Sequence, residues 1–176
     1  MAKAASTRAS KKLAATTERP EVDVREYNKV VDSAELQTVQ ALKVALIVEP
    51  EYYDDTKQKK FHFDRGQIGA TFDPDACAVA GRFMFAVTVK QGRSRVLKAS
   101  AEYMVIYSVH EGADVVAAEA FCGRVGIFAA YPYFRSLMAH LSWESNAQLP
   151  VMPVIATRGS KVRAVNIESG SGRTKP

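Results

Sequence analysis

Residues 121–155 read FCGRVGIFAAYPYFRSLMAHLSWESNAQLPVMPVI, and they decide how the rest of the chain is understood. The stretch holds the only tryptophan and three of the seven prolines. After Pro132 the apolar side chains fall at Phe134, Leu137, Met138 and Leu141, the i, i+3, i+4, i+7 stripe of an amphipathic helix. Pro132 suits a first helical position, where a missing N–H costs nothing and φ is already set, so the spacing predicts a helix that starts there. Asn146 offers a stop. Leu149-Pro150-Val151-Met152-Pro153-Val154 then follows, and two prolines three residues apart exclude helix and remove donors that a central strand needs. A helix thus delivers the chain into an apolar, proline-stiffened ribbon.

Upstream the period changes from 3.6 to 2. Leu42, Val44, Leu46 and Val48 alternate with Ala41, Lys43, Ala45, Ile47 and Glu49, which predicts a strand with its even positions inward. It runs towards Tyr52-Tyr53 and the polar residues 54–60, and Phe61-His62-Phe63 reads as a short second strand before Gly66 and Gly69. Asp73-Pro74-Asp75 marks a turn. From Cys77 the odd positions Val79, Phe83, Phe85, Val87 and Val89 are apolar, while Arg82, Thr88 and Lys90 take the even side. Gln91-Gly92 turns the chain. The return strand keeps Leu97, Ala99, Ala101, Tyr103, Val105, Tyr107 and Val109 on one side and Lys98, Ser100, Glu102 and Ser108 on the other. Long strands joined by short polar turns predict an antiparallel meander with one covered face. Asp114 then stands where a carboxylate favours a helix N-terminus. Gly123 and Gly126 are expected to loosen that first helix before Pro132 begins the second. Residues 20–35 carry no decisive pattern. Strands first and helices later read as α+β: an antiparallel sheet of about four strands with two helices packed on one face.

Composition bounds the function. The chain has 176 residues, 47% apolar and 24% charged, which fits one globular domain. Its net charge of +5 belongs to the ends. Residues 1–19 and 157–176 each carry five Lys/Arg against one Glu, whereas 20–156 carries 14 Lys/Arg against 17 Asp/Glu. Tails rich in Ala, Ser, Thr, Gly and Lys are expected to be disordered, leaving 20–156 as the domain. Lys3, Arg8, Lys11 and Lys12 offer phosphate contacts or a transit-peptide reading, but the N-terminal tail lacks aromatics and a strong apolar face. Cys77 and Cys122 lie far apart and form no disulfide framework; buried thiols in a reducing compartment are expected. No uninterrupted apolar run approaches the ~20 residues of a membrane span, so membrane insertion is not expected.

Catalytic patterns are absent. His62, His110 and His140 lack metal-ligand spacing, so no metal and no catalytic residue is assigned. Gly123-Arg124-Val125-Gly126 has no strand before it and is not a dinucleotide loop. Asp54-Asp55 and Asp73/Asp75 sit in turns, where Asp is favoured for local hydrogen bonds. Ser136 and His140 share a helix face without a nucleophile elbow. The ribbon has two readings: cover for the core, or one wall of an apolar groove suited to exposed polypeptide segments.

The order Tyr131-Pro132-Tyr133-Phe134-Arg135, a helix, Leu149-Pro150 and the Pro153-Val154 pair resembles the SecB-like export chaperones. In that family an aromatic-Pro-Tyr-x-Arg signature opens the long helix, and a Leu/Phe-Pro with an apolar, proline-containing crossover closes it. The resemblance covers about 25 residues. The two proline signatures stand further apart than the family shows, the ribbon is shorter, and no final helix pattern follows. The resemblance implies a cytoplasmic, ATP-independent holdase without a cofactor, binding non-native polypeptides as a homotetramer built from a dimer of dimers. It implies client contacts at Tyr133, Trp143, Leu149, Val151, Met152 and Val154, and places Phe134, Leu137 and Leu141 in the core or at the subunit interface. Arg135 matches the family's arginine and is expected to anchor the helix. Export-ATPase docking, which the family achieves through an acidic sheet face and often a metal-binding tail, is less supported, because residues 158–176 contain no Cys or His. Two alternatives remain: nucleic-acid binding through the basic tails, which the charge partition disfavours for the body, and an oligomeric assembly subunit that ignores unfolded chains.

Overall fold

A computed structural model describes residues 22–155; both tails assigned from the sequence lie outside the described residues. The order is α1 (Val24–Ser33), β1 (Glu35–Val48), a 3-10 turn (Pro50–Tyr53), β2 (Lys59–Asp73), β3 (Ala78–Gln91), β4 (Ser94–Ser108) and α2 (Val115–Glu144). The strands form one antiparallel sheet in the order β1-β4-β3-β2. The fold is therefore α+β, a four-stranded sheet with two helices, as expected from the sequence. The two helices are not the expected pair.

The expected break at Pro132 does not occur. α2 runs for 30 residues with Pro132 inside it. An interior proline sacrifices one backbone hydrogen bond and crowds the preceding turn, so the helix must be held by its packing. Buried Tyr131 and Phe134 flank the proline and provide that packing. Gly123 and Gly126 do not loosen the helix either. A Cβ on Gly126 would come within 2.6 Å of the Phe83 ring, and one on Gly123 within 2.5 Å of Gln67, so the missing side chains let helix and sheet approach. Asp114 caps the helix, accepting from the Ala117 N–H at 2.8 Å. By length and composition alone α2 also meets the requirement for crossing a membrane; in this fold its apolar residues line the sheet.

α1 is the second helix, ten residues that the sequence left unassigned. Asp23 caps it by accepting from the Arg25 N–H. Val30 is buried, Tyr27 packs on Phe121, and the Arg124 guanidinium lies 4.9 Å from the Tyr27 ring centre. Ser33 joins it to the body through the His110 backbone N–H and ring.

The central strands follow the predicted alternation. Phe83, Phe85, Val87 and Val89 of β3 and Leu97, Ala99, Ala101, Tyr103, Val105 and Tyr107 of β4 are buried beneath α2. Each large side chain so buried contributes about 1.5–3 kcal/mol. The edge strands depart from prediction. β2 is 15 residues long, not a short Phe61-His62-Phe63 segment, because a bulge at Ile68 interrupts its alternation. In β1 the even-inward pattern holds at Val44, Leu46 and Val48, which pair with Ala101, Ala99 and Leu97. A bulge at Leu42 then reverses it, placing Val39 and Ala41 on the helix-bearing side. α2 lies over β2, β3 and β4, so Leu42 and Val44 stay about half exposed.

Candidate functional site

The link from β1 to β2 carries Tyr52 and Tyr53 beneath the end of α2. It is seated there by the Glu49 N–H on the Val96 carbonyl and by the buried Gln91 amide, which donates to the Asp54 carbonyl. Tyr52 packs edge-on against Tyr53 and holds Lys59 4.6 Å from its ring centre. Both phenols reach the chain that leaves α2. Tyr53 donates to the Ser145 carbonyl at 2.6 Å, and Tyr52 donates to the Gln148 carbonyl at 3.1 Å.

The helix stops as Asn146 allows. Asn146 takes a left-handed conformation at φ 49°. Its N–H bonds the Trp143 carbonyl, and the Ala147 N–H bonds the Ser142 carbonyl, the paired closure of a Schellman motif. Ser142 adds a clip, donating from Oγ to the Ala147 carbonyl at 2.5 Å and accepting from the Leu149 N–H at 3.1 Å. Beyond it the ribbon lies back along the helix, with the Tyr131 hydroxyl donating to the Pro153 carbonyl. Burial pushes the Tyr131 phenol above its ordinary range, opposed by the charges of Arg135 and Arg65, so it stays a donor.

Helix and ribbon enclose an open groove of about 530 Å³. Pro132, Arg135, Ser136, Ala139 and Ser142 form one wall, and Leu149, Pro150 and Val151 the other. The candidate client residues divide here. Val151 and Val154 are 87% and 83% exposed, and Leu149 is half-buried. Trp143 is 85% exposed, one turn beyond Ala139 on the same helix stripe. It does not pack beneath the ribbon. Met152 lines the groove but is only 6% exposed, so it anchors the ribbon and offers little free surface. Tyr133 is half exposed but sits ten residues before Trp143, about 15 Å along the axis and roughly 80° around it, so the two aromatics are not brought together.

Of the three residues expected in the core or at the subunit interface, Phe134 belongs to the core. It is fully buried, stacked on Phe85 with centroids 5.2 Å apart and on Phe63 at 6.1 Å, and cannot face another subunit. Leu137 and Leu141 are half-buried on the flank of α2. Sequence reasoning missed Tyr52, Tyr53, Tyr131 and Ser142 as the hardware of the ribbon; the adjacent Tyr52-Tyr53 pair in a polar loop was the available signal. Among the described residues no group of His, Cys, Asp and Glu could hold a metal ion. His140 makes an exposed contact with Glu144 at 3.8 Å, and His110 serves α1. Cys122 is buried, and burial chiefly, with Glu119 nearby, pushes its thiol up to about 12.

No family profile matches the chain, and no curated protein does. Among solved structures it is similar to the SecB-like chaperone of Mycobacterium tuberculosis determined in complex with a ChAD peptide from the HigA1 antitoxin. The TM-score is 0.62 at 16% identity, covering 75% of this chain and 97% of that one. A Streptococcus agalactiae protein of unknown function superposes at a TM-score of 0.30 and 9% identity, covering 70% of this chain and 97% of that one, and carries no argument. The fold is SecB-like.

Proposed function

We propose that this protein is an ATP-independent holdase that binds non-native polypeptides in the groove between the end of α2 and the ribbon. One observation carries the reading: three large apolar side chains are held more than four-fifths exposed, Val151 in the wall of an open groove and Trp143 and Val154 further along the helix and ribbon that form it. They are not loose, because Met152 is buried and the backbone is hydrogen-bonded to Tyr52, Tyr131 and Ser142. A pre-set apolar surface binds an extended segment with little ordering cost on the protein side. Each such side chain contributes about 1.5–3 kcal/mol when a client covers it. The peptide bound by the Mycobacterium tuberculosis chaperone of the same fold supports polypeptide as the ligand class.

A single groove holds a client weakly; several in one assembly multiply the effective concentration. We propose further, following the resemblance, that it works without chemistry in the cytoplasm as a homotetramer, a dimer of dimers. The exposed edge of β1, with Leu36, Leu42, Val44 and Ile47 about half exposed, supports assembly because an unpaired edge of 14 residues is a liability in a lone subunit. Leu137 and Leu141 remain available to subunit contacts.

Light scattering from an aggregating client, without nucleotide and with stoichiometric protein, tests the reading. Wild type suppresses aggregation. The Val151→Asp/Val154→Asp variant loses suppression and keeps its oligomeric mass. Failure of the wild type sinks the holdase, and parallel loss of suppression and mass makes the ribbon structural.

A further inference from the structure

The sheet face opposite α2 mixes its charges at one end, where Lys43 and Arg82 meet Glu102, and gathers cations at the other. Register places Lys60 opposite Lys90, and Lys90 opposite Arg95, so three cations stand in one row across β2, β3 and β4. Neighbouring strands are about 4.8 Å apart. The next outward row adds Lys98 opposite Thr88, which faces His62. Like charges directly opposite in a sheet destabilise it, and here the arrangement is repeated rather than avoided. Among the described residues none of Lys60, Lys90, Arg95 and Lys98 has an ion-pair partner; Arg82–Glu102 lies further along the same face. Asp64 on this face is four residues along β2 from Lys60, about 13 Å, and exposed Glu49, whose N–H bonds the Val96 carbonyl, is the one acid among the described residues at the Arg95 end of the row. Asp54 and Asp55 belong to the loop on the helix-bearing side, where Thr56, Lys57 and Lys59 engage them. Glu35 and Asp73 stand at the far end of the sheet.

We infer that this patch binds the sugar–phosphate backbone of duplex nucleic acid without regard to sequence. Thr88 stands among the cations and the small Ala86 and Ser100 fill the row beyond them, so the face offers point charges rather than base-reading geometry. Phosphates are contacted by such charges, and contacts to them carry no sequence information. Single strands need aromatic platforms, and the only ring in these rows is His62, so the higher charge density of a duplex is the better match. The assignment is independent of the groove, which lies on the other face. It also replaces the acidic face that export-ATPase docking requires with a basic one at this end.

Anisotropy of a labelled random-sequence duplex, titrated with the full-length protein between 50 and 200 mM salt, provides the test. Four contacts give a slope of about −3.6 for log K against log salt. The Lys60→Gln/Lys90→Gln/Lys98→Gln variant flattens the slope by about 2.7 and weakens binding at 100 mM salt at least about 30-fold. It still suppresses client aggregation. Absence of duplex binding by the wild type overturns the proposal, as does equal strength and slope in the variant, which would move the contact to the tails. Tighter binding of polyglutamate, or of the single strand, also overturns it.

Discussion

The two halves of α2 meet the same sheet in opposite ways. From Ala118 the helix presents Cys122, Gly126 and Ala130 at four-residue spacing, all buried, a seam of small side chains that brings the two backbones together. From Tyr131 onward it presents Tyr131, Phe134 and Met138, which hold it against Phe63 and Phe85 by their bulk. The first half leaves no room beside it. The second carries the groove wall and ends in an exposed tryptophan. One helix therefore both closes the core and displays a surface. The change comes at Pro132, whose ring lies in the groove and whose lost hydrogen bond the packing tolerates.

Substitutions sharpen this contrast. Phe134→Ala, in the bulky half, costs about 3–5 kcal/mol in urea unfolding, because it opens a cavity beneath two stacked rings. Gly126→Ala, in the small half, costs about 1–3 kcal/mol by forcing a methyl group onto the Phe83 ring. Pro132→Ala goes the other way, restoring a donor and stabilising by up to about 3 kcal/mol while it reshapes the groove. Val151→Asp/Val154→Asp changes stability by less than about 0.5 kcal/mol, since both side chains already face water. If it unfolds the protein instead, the two halves are not separable.

The small half also sets a pH dependence. Folding lifts Cys122 from an ordinary value of 9.0 to about 12, so well below pH 9 the thiol is neutral in both folded and unfolded chains and contributes no slope. Between pH 9 and 12 only the unfolded chain ionises there, and stability falls as pH rises. Tyr107, raised to about 12 mainly by burial and next by Cys122, adds to the loss above pH 10. Cys122→Ala should flatten the first part of that decline in denaturant titrations. At neutral pH, half-exposed Cys77 reacts with thiol reagents and Cys122 waits for unfolding.

Legibility in the sequence followed coverage. Phe83 to Val89 and Leu97 to Tyr107 alternate cleanly because β3 and β4 are paired on both sides and covered on one face. β1 and β2 are edges, paired on one side only, and their bulges at Leu42 and Ile68 shift the period partway along each strand. Pro132 misled because local propensity says start, whereas tertiary contacts hold a helix through it. On the end of the helix and the ribbon, Trp143, Val151 and Val154 stand out as surplus apolar residues. Met152 has the same composition, and only the ribbon's path decides that it points inward. Lys60, Lys90 and Arg95 look like ordinary solvated charges until the register stacks them.

Trp143, the sole tryptophan, stands exposed on α2 one turn past the groove-lining Ala139 and not in the core. Its emission is accordingly that of a water-exposed indole in the native protein, and unfolding shifts it little. Circular dichroism, not tryptophan fluorescence, follows the melting of this fold. The same side chain gives the groove a native optical reporter: a segment that covers the indole moves its emission to shorter wavelength, and no label is needed to see it.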